Sequence, residues 1–227
     1  MKFAAMPFDV RLKASFNCIV NGPSGSGKTT FVRNLLKVKD LMFDIPPKKV
    51  FLYYQLNQEL YLQMEQEGLI DESIDTNREF PTYDSLTEKV HAYKDQGGCL
   101  VIFDDMMTNL TPDFVRIFCN LSHHESASII LLTQNLFYKA KEFRTISLNT
   151  HYIVLMKNGR NLDQISTLAR QVCPGNAKYI IESYNDATKS HTHTYYWTLK
   201  LTRPPQFVFG RIYFLTSFHC VFILKND

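Results

Sequence analysis

Residues 15–30 read Ser-Phe-Asn-Cys-Ile-Val-Asn-Gly-Pro-Ser-Gly-Ser-Gly-Lys-Thr-Thr. The run from Ser15 to Val20 is short, apolar and β-prone, and it feeds directly into the glycine-rich segment. Thr29 to Val38 then has helical spacing, with Phe31, Leu35 and Leu36 on one side and Arg33, Asn34 and Lys37 on the other. The predicted order is strand, loop, helix. Gly22, Gly25 and Gly27 permit a tight backbone path in which consecutive N–H groups turn inward as a nest for phosphate oxygens. The helix after the loop adds the positive end of its dipole. The predicted phosphate-binding residues are Gly22, Pro23, Ser24, Gly25, Ser26, Gly27, Lys28, Thr29 and Thr30. Lys28 would reach the β- and γ-phosphates of a nucleotide, and the Thr29 hydroxyl would be a Mg²⁺ ligand.

Such a loop needs an acidic group on a neighbouring strand to hold the metal. Leu100-Val101-Ile102-Phe103-Asp104-Asp105 has that form, an apolar run closed by carboxylates. Asp104 is the expected metal-side residue, and Asp105 is placed to polarise an attacking water. The plainer alternative is that the pair ends a strand and caps the segment from Met106 onward. Another apolar strand, Ile129 to Leu132, ends in Thr133-Gln134-Asn135. Gln134 is the candidate to sense the γ-phosphate or orient water, because ligands of open α/β sheets bind at the carboxyl ends of strands; a turn residue is the alternative. Charge on a transferring phosphoryl group is often met by an arginine from a neighbouring subunit. Arg144, Arg160 and Arg170 come after the Gln134 strand, and Arg144 is the first candidate, against a solvated face as the common alternative.

The remaining chain places these motifs in an α/β fold. Strands are predicted at Lys49 to Gln55, Cys99 to Asp104, Ser128 to Gln134 and His151 to Lys157. Helices are predicted at Gln58 to Glu67, Thr87 to Lys94, Asp113 to Leu121, around Tyr138 to Arg144, and at Leu162 to Val172. Apolar strands alternating with helices indicate a mainly parallel sheet flanked by helices on both faces. Asp71 to Ser85 is polar, contains Pro81, and reads as an irregular connection. Beyond Pro174 the alternation stops; Tyr195 to Leu201 and Phe207 to Phe222 read as edge strands or a hairpin. The expected division is a nucleotide-binding domain over 1–190 and a short β-rich C-terminal extension over 191–227.

With 227 residues, 45% of them hydrophobic and 21% charged, the chain can bury a sizeable core and has no disordered or fibrous character. A formal charge of +3 is too small to argue a nucleic-acid partner by itself. The cysteines at 18, 99, 119, 173 and 220 are far apart, which fits reduced, mostly buried thiols inside a cell. The N-terminal stretch carries charges among its apolar residues, unlike a secretion signal, and no apolar run of about 18 residues predicts a membrane span. The expectation is a soluble, intracellular protein with no membrane partner. His123-His124 and His191-x-His193 lack cysteine or carboxylate partners at metal-site spacing.

Taken together, the loop at 22–29, the Asp104-Asp105 pair and the Leu-Leu-Thr-Gln-Asn end of the next strand resemble the FtsK/HerA superfamily of DNA-pumping ATPases. Within it the chain is most similar to the poxvirus-type virion genome-packaging ATPases, including those of Polinton/Maverick elements. Thr133 to Pro174 carries much of this likeness, in Thr-Gln-Asn-Leu-Phe, in Arg-Thr-Ile-Ser-Leu-Asn-Thr-His-Tyr-Ile-Val-Leu-Met-Lys-Asn and in Thr-Leu-Ala-Arg-Gln-Val. The resemblance covers about residues 15–190. It implies a RecA-like core, ATP as the nucleotide, a homo-oligomeric ring, and hydrolysis that drives double-stranded DNA into a preformed capsid. It also implies capsid proteins as partners and a viral assembly site or the virion as location. Gln134 matches the family's sensor glutamine, and Arg144 lies where the family commonly has a basic residue before the next strand. Asp105 departs from the glutamate common in FtsK proteins, although viral members often keep Asp-Asp. The final run, Ile212 to Asp227, looks unlike the family's usual ending.

A small P-loop kinase or nucleotide-dependent switch, acting on a metabolite or a protein partner, is the alternative. A GTPase should carry Asn-Lys-x-Asp, and no such motif occurs. No compact arginine-rich lid marks a kinase. A decayed, inactive relic is a third reading, against which the intact Gly22, Lys28, Thr29, Asp104 and Asp105 speak.

Overall fold

In the computed structural model, which describes residues 11–108, 110–138, 141–159, 162–188, 195–200, 207–214 and 218–225, the central strand is the one that feeds the glycine loop. This strand, β1 (Asn17–Asn21), is buried along its whole length and leads through the loop into α1 (Lys28–Lys37). A single-turn helix, α2 (Lys39–Met42), precedes β2 (Lys49–Tyr54), α3 (Glu59–Gln66), β3 (Glu72–Asp75) and α4 (Tyr83–His91). Then come β4 (Cys99–Asp104), α5 (Pro112–His124), β5 (Ala127–Thr133), α6 (Lys141–Leu148), β6 (Tyr152–Leu155), α7 (Leu162–Val172) and α8 (Ala177–Ala187). The C-terminal strands are β7 (Tyr195–Lys200), β8 (Phe207–Phe214) and β9 (Phe218–Lys225).

The sheet order is β3-β2-β4-β5-β1-β6-β7-β9-β8, with every pairing from β3 to β6 parallel. The register Cys18↔Ile130 and Ile102↔Ile130 puts β5 between the loop strand and the Asp104 strand. β7 joins β6 antiparallel, and β8 and β9 form an antiparallel hairpin at the far edge.

Period-two alternation sorts the strand side chains between two apolar layers. Val101 and Phe103 of β4 point into the layer with Leu86, Phe114, Phe118, Phe143, Leu168 and Tyr184, covered by α4 to α8. Leu100 and Ile102 point the other way, to Phe31, Leu35, Tyr61 and Met64 beneath α1 and α3. Each such aliphatic or aromatic side chain contributes about 1.5–3 kcal/mol on leaving water, which is why strands covered on both faces are almost uninterruptedly apolar. Asp104 is next in the alternation after Phe103, so it falls on the α1–α3 side, facing the helix that starts at Lys28.

Two stretches depart from the sequence expectation. Asp71 to Ser85 is not an irregular connection: Glu72–Asp75 is the edge strand β3, paired with β2, and α4 starts at Tyr83 rather than Thr87. An edge strand has one neighbour, so β3 can be short and polar and still pair. Pro81 stands before the α4 N-cap at Thr82, whose hydroxyl accepts from the Ser85 N–H while the Ser85 hydroxyl accepts from the Thr82 N–H. The helical alternation also continues past Pro174, into α8, which buries Ile180, Tyr184 and Ala187.

Candidate nucleotide site

The turn from β1 into α1 is fixed from both sides by backbone. Gly22 N–H donates to the Thr133 carbonyl of β5 at 3.1 Å, and Met156 N–H, after β6, donates to the Asn21 carbonyl at 2.8 Å. A side chain at Gly22 would place Cβ 2.5 Å from Met156 Cβ and 2.6 Å from Ser26 Oγ, so only glycine fits there. Gly27 caps α1 with φ of 87°, a left-handed conformation that turns the loop into the helix.

Lys28, the first residue of α1, folds back over the loop. Its Nζ donates to the carbonyls of Gly22 at 2.8 Å and Pro23 at 3.0 Å. Burial pushes the ammonium below its ordinary range, and the charges of Asp104 and Asp105 pull it partly back up. Thr29 Oγ1 donates to Asp104 Oδ2 at 3.1 Å, joining the ends of α1 and β4. Asp104 is only 5% exposed; burial raises its carboxyl above the usual range, and hydrogen bonds from Tyr61 and Thr29, then the Lys28 charge, act against that rise. Asp105 comes next with φ of 62°, a left-handed backbone uncommon outside glycine, and the chain bends there at the strand's tip. Gln134 Nε2, at the tip of β5, donates to Asp105 Oδ1 at 3.4 Å.

These groups surround a cavity of about 380 Å³. Of the sequence-predicted residues, Ser24, Gly25, Gly27, Lys28, Thr29, Thr30, Asp104, Asp105 and Gln134 line it. Gly22, Pro23 and Ser26 belong to the loop's framework. Arg144 sits exposed on α6 and does not line the cavity; Arg170 is exposed near the end of α7. Arg160, His191 and His193 lie outside the described residues. Among the described residues, Cys18 and Cys99 are buried, Cys119 and Cys173 partly so, and all four are free. Sequence reasoning did not single out Tyr61 and Gln58 of the α3 region, which also line the cavity. Its helical spacing could bring Tyr61 and Met64 to one buried face, but not name the partner of the Tyr61 hydroxyl.

The donor set suits a magnesium-bound triphosphate. A half-buried ammonium and the N-terminus of α1 face the place of the phosphates, and a buried carboxylate beside a hydroxyl offers hard oxygen ligands.

The profile of the poxvirus A32 protein matches residues 6–196. The chain belongs to that family. The family match spans the glycine loop, both carboxylates, Gln134 and the first residues of β7, and it stops before β8 and β9. Among solved structures, the chain is similar to B204, the DNA-packaging ATPase of Sulfolobus turreted icosahedral virus, with a TM-score of 0.50 and 12% identity over 73% of this chain and 86% of that one. It is also similar to the cytoplasmic domain of the type VII secretion ATPase EccC of Thermomonospora curvata, with a TM-score of 0.55 and 15% identity over 83% of this chain. The match spans only 24% of the EccC chain. At such identities the likeness is one of fold, the RecA-like P-loop fold with β5 between β1 and β4. None of the curated proteins matches. Among the described residues, no helix is long and apolar enough to cross a membrane.

Proposed function

We propose that this poxvirus A32 family member is an ATP-hydrolysing translocase that packages the double-stranded DNA of a virus or virus-like element into its capsid. The observation that carries the reading is the convergence of Lys28, Thr29, Asp104, Asp105 and Gln134 on one cavity within a family match that contains them all. The likeness to B204, itself a viral DNA-packaging ATPase, supports it. On this reading residues 1–190 are the ATPase domain and 191–227 a β-rich extension of the same sheet, and the working form is a ring of this chain at an intracellular assembly site.

The geometry supports a role for each residue. Thr29 Oγ1 and Asp104, directly or through water, would hold Mg²⁺, which supplies charge neutralisation between the phosphates when bound. Lys28 would exchange its two carbonyl partners for phosphate oxygens, a stronger charge-assisted contact. Asp105 accepts the proton of the attacking water, and Gln134, already within reach of Asp105, orients that water. Arg144, exposed on α6, stands away from the cavity of its own subunit and would act on the phosphates held by a neighbour.

ATP hydrolysis by the purified chain, with and without double-stranded DNA, tests this reading, with Lys28→Ala and Asp105→Asn as controls. DNA-stimulated turnover that both substitutions abolish is the expected result. Turnover indifferent to DNA, from a protein that does not assemble on it, would put the kinase or switch reading ahead.

A further inference from the structure

Helix α3 carries a tyrosine whose hydroxyl ends on the metal-side carboxylate. Tyr61 is 1% exposed, and its ring packs in the α1–α3 apolar layer, 5.1 Å from the ring of Tyr54. The hydroxyl donates to Asp104 Oδ2 at 2.6 Å and accepts from Gln58 Nε2 at 2.9 Å. That same Oδ2 receives the Thr29 hydroxyl at 3.1 Å, so one carboxylate oxygen is held between α1 and α3. The far end of α3 is fastened as well. Its C-cap, Glu67, takes both Arg33 and Lys37 of α1, the former through Nε at 3.0 Å and the latter at 3.4 Å.

We propose that Tyr61 is a positioning residue for Asp104: its hydroxyl fixes Oδ2 beside Thr29 and so presets the oxygen pair that receives Mg²⁺, with Gln58 holding the tyrosine hydroxyl from the cavity wall. This inference rests on the reading of the cavity as a Mg²⁺-nucleotide site. Packing alone does not account for the residue, because phenylalanine would fill the same apolar space and leave no buried hydroxyl to satisfy. The attachment of α3 to α1 at Glu67 keeps the tyrosine in register with the loop helix while leaving Asp104 Oδ1 outside the Tyr61 and Thr29 hydrogen bonds. Partners that orient a ligating carboxylate typically change metal affinity by about 10- to 100-fold when removed.

The test is binding of a fluorescent ATP analogue to the full chain, titrated with Mg²⁺ and repeated in EDTA. Tyr61→Phe is expected to raise the Mg²⁺ concentration for half-maximal binding about tenfold while leaving affinity in EDTA unchanged. Gln58→Leu, which leaves the core untouched, should move the Mg²⁺ midpoint the same way by less. An unchanged Mg²⁺ midpoint in Tyr61→Phe, or an equal loss of binding with and without Mg²⁺, overturns the positioning role. Wild-type protein that binds the analogue with no Mg²⁺ dependence overturns the site reading and this inference with it.

Discussion

Gln134 Nε2 stands 3.4 Å from Asp105 Oδ1, so the tips of β5 and β4 present an amide and a carboxylate to the same small volume. If these two groups handle the attacking water, Asp105→Asn should lower turnover by about 10²- to 10⁴-fold while nucleotide affinity stays near wild type. Gln134→Ala should lower it in the same direction by less. Steady-state phosphate release alongside equilibrium nucleotide binding measures both; full turnover in Asp105→Asn would remove the residue from the mechanism.

Lys28 makes its hydrogen bonds to its own loop's carbonyls, and both can be given up for phosphate. Lys28→Ala is expected to weaken nucleotide binding roughly 10- to 100-fold, the scale of a lost charge-assisted hydrogen bond. Circular dichroism should show an unchanged fold, since the Gly22 and Thr133 backbone bond that anchors the loop does not involve the lysine.

Asp104 has a pH signature that is opposite to that of a surface carboxylate. Burial raises its folded-state pKa, so the unfolded chain releases this proton at lower pH than the folded chain does. Stability from this group is therefore greatest below the ordinary carboxylate value of about 4 and falls as pH rises from there through the raised folded value. In nucleotide-free protein, Asp104→Asn should raise the urea midpoint at pH 7, and the gain should shrink toward acid pH. A variant less stable than wild type at pH 7 would show that the hydrogen bonds of Asp104 outweigh its burial.

Gly22→Ala tests the closeness of the loop to β6. Its Cβ would lie 2.5 Å from Met156 Cβ, and neither atom is the end of a flexible side chain. Overpacking of this kind costs about 1–3 kcal/mol, readable as a lower denaturant midpoint. Adding Met156→Ala removes the Cγ at 2.7 Å but leaves Met156 Cβ and the Ser26 Oγ at 2.6 Å, so it should recover only part of the loss; a full recovery would mean that the Cγ contact carries the cost.

The candidate site was legible in the sequence wherever its residues are neighbours in the chain. Gly22 to Thr30, and Asp104-Asp105 closing an apolar run, are local patterns, and the structure brings Ser24, Gly25, Gly27, Lys28, Thr29, Thr30, Asp104 and Asp105 to one cavity. β3 escaped because Glu-Ser-Ile-Asp has one pairing partner and little apolar content. α8 escaped because Pro174 and Gly175 ahead of it look like an ending, while its buried Ile180, Tyr184 and Ala187 are spread over two turns. Tyr61 and Gln58 were illegible for a different reason: their role depends on a contact 43 residues away in sequence, which only the sheet order creates.

The position of β1 has a consequence for how the protein comes to life on the ribosome. β1 is synthesised first among the described strands, yet its two neighbours in the sheet are β5 and β6, aligned at Ile19↔Leu131 and Ile19↔Ile153. The glycine loop is thus held in shape by chain made more than a hundred residues later. Pairings of such sequence separation form slowly, after the long intervening loop has been closed. A nascent chain would carry every residue of its phosphate-binding motif from the start and acquire the ability to grip a phosphate only once β6 has emerged.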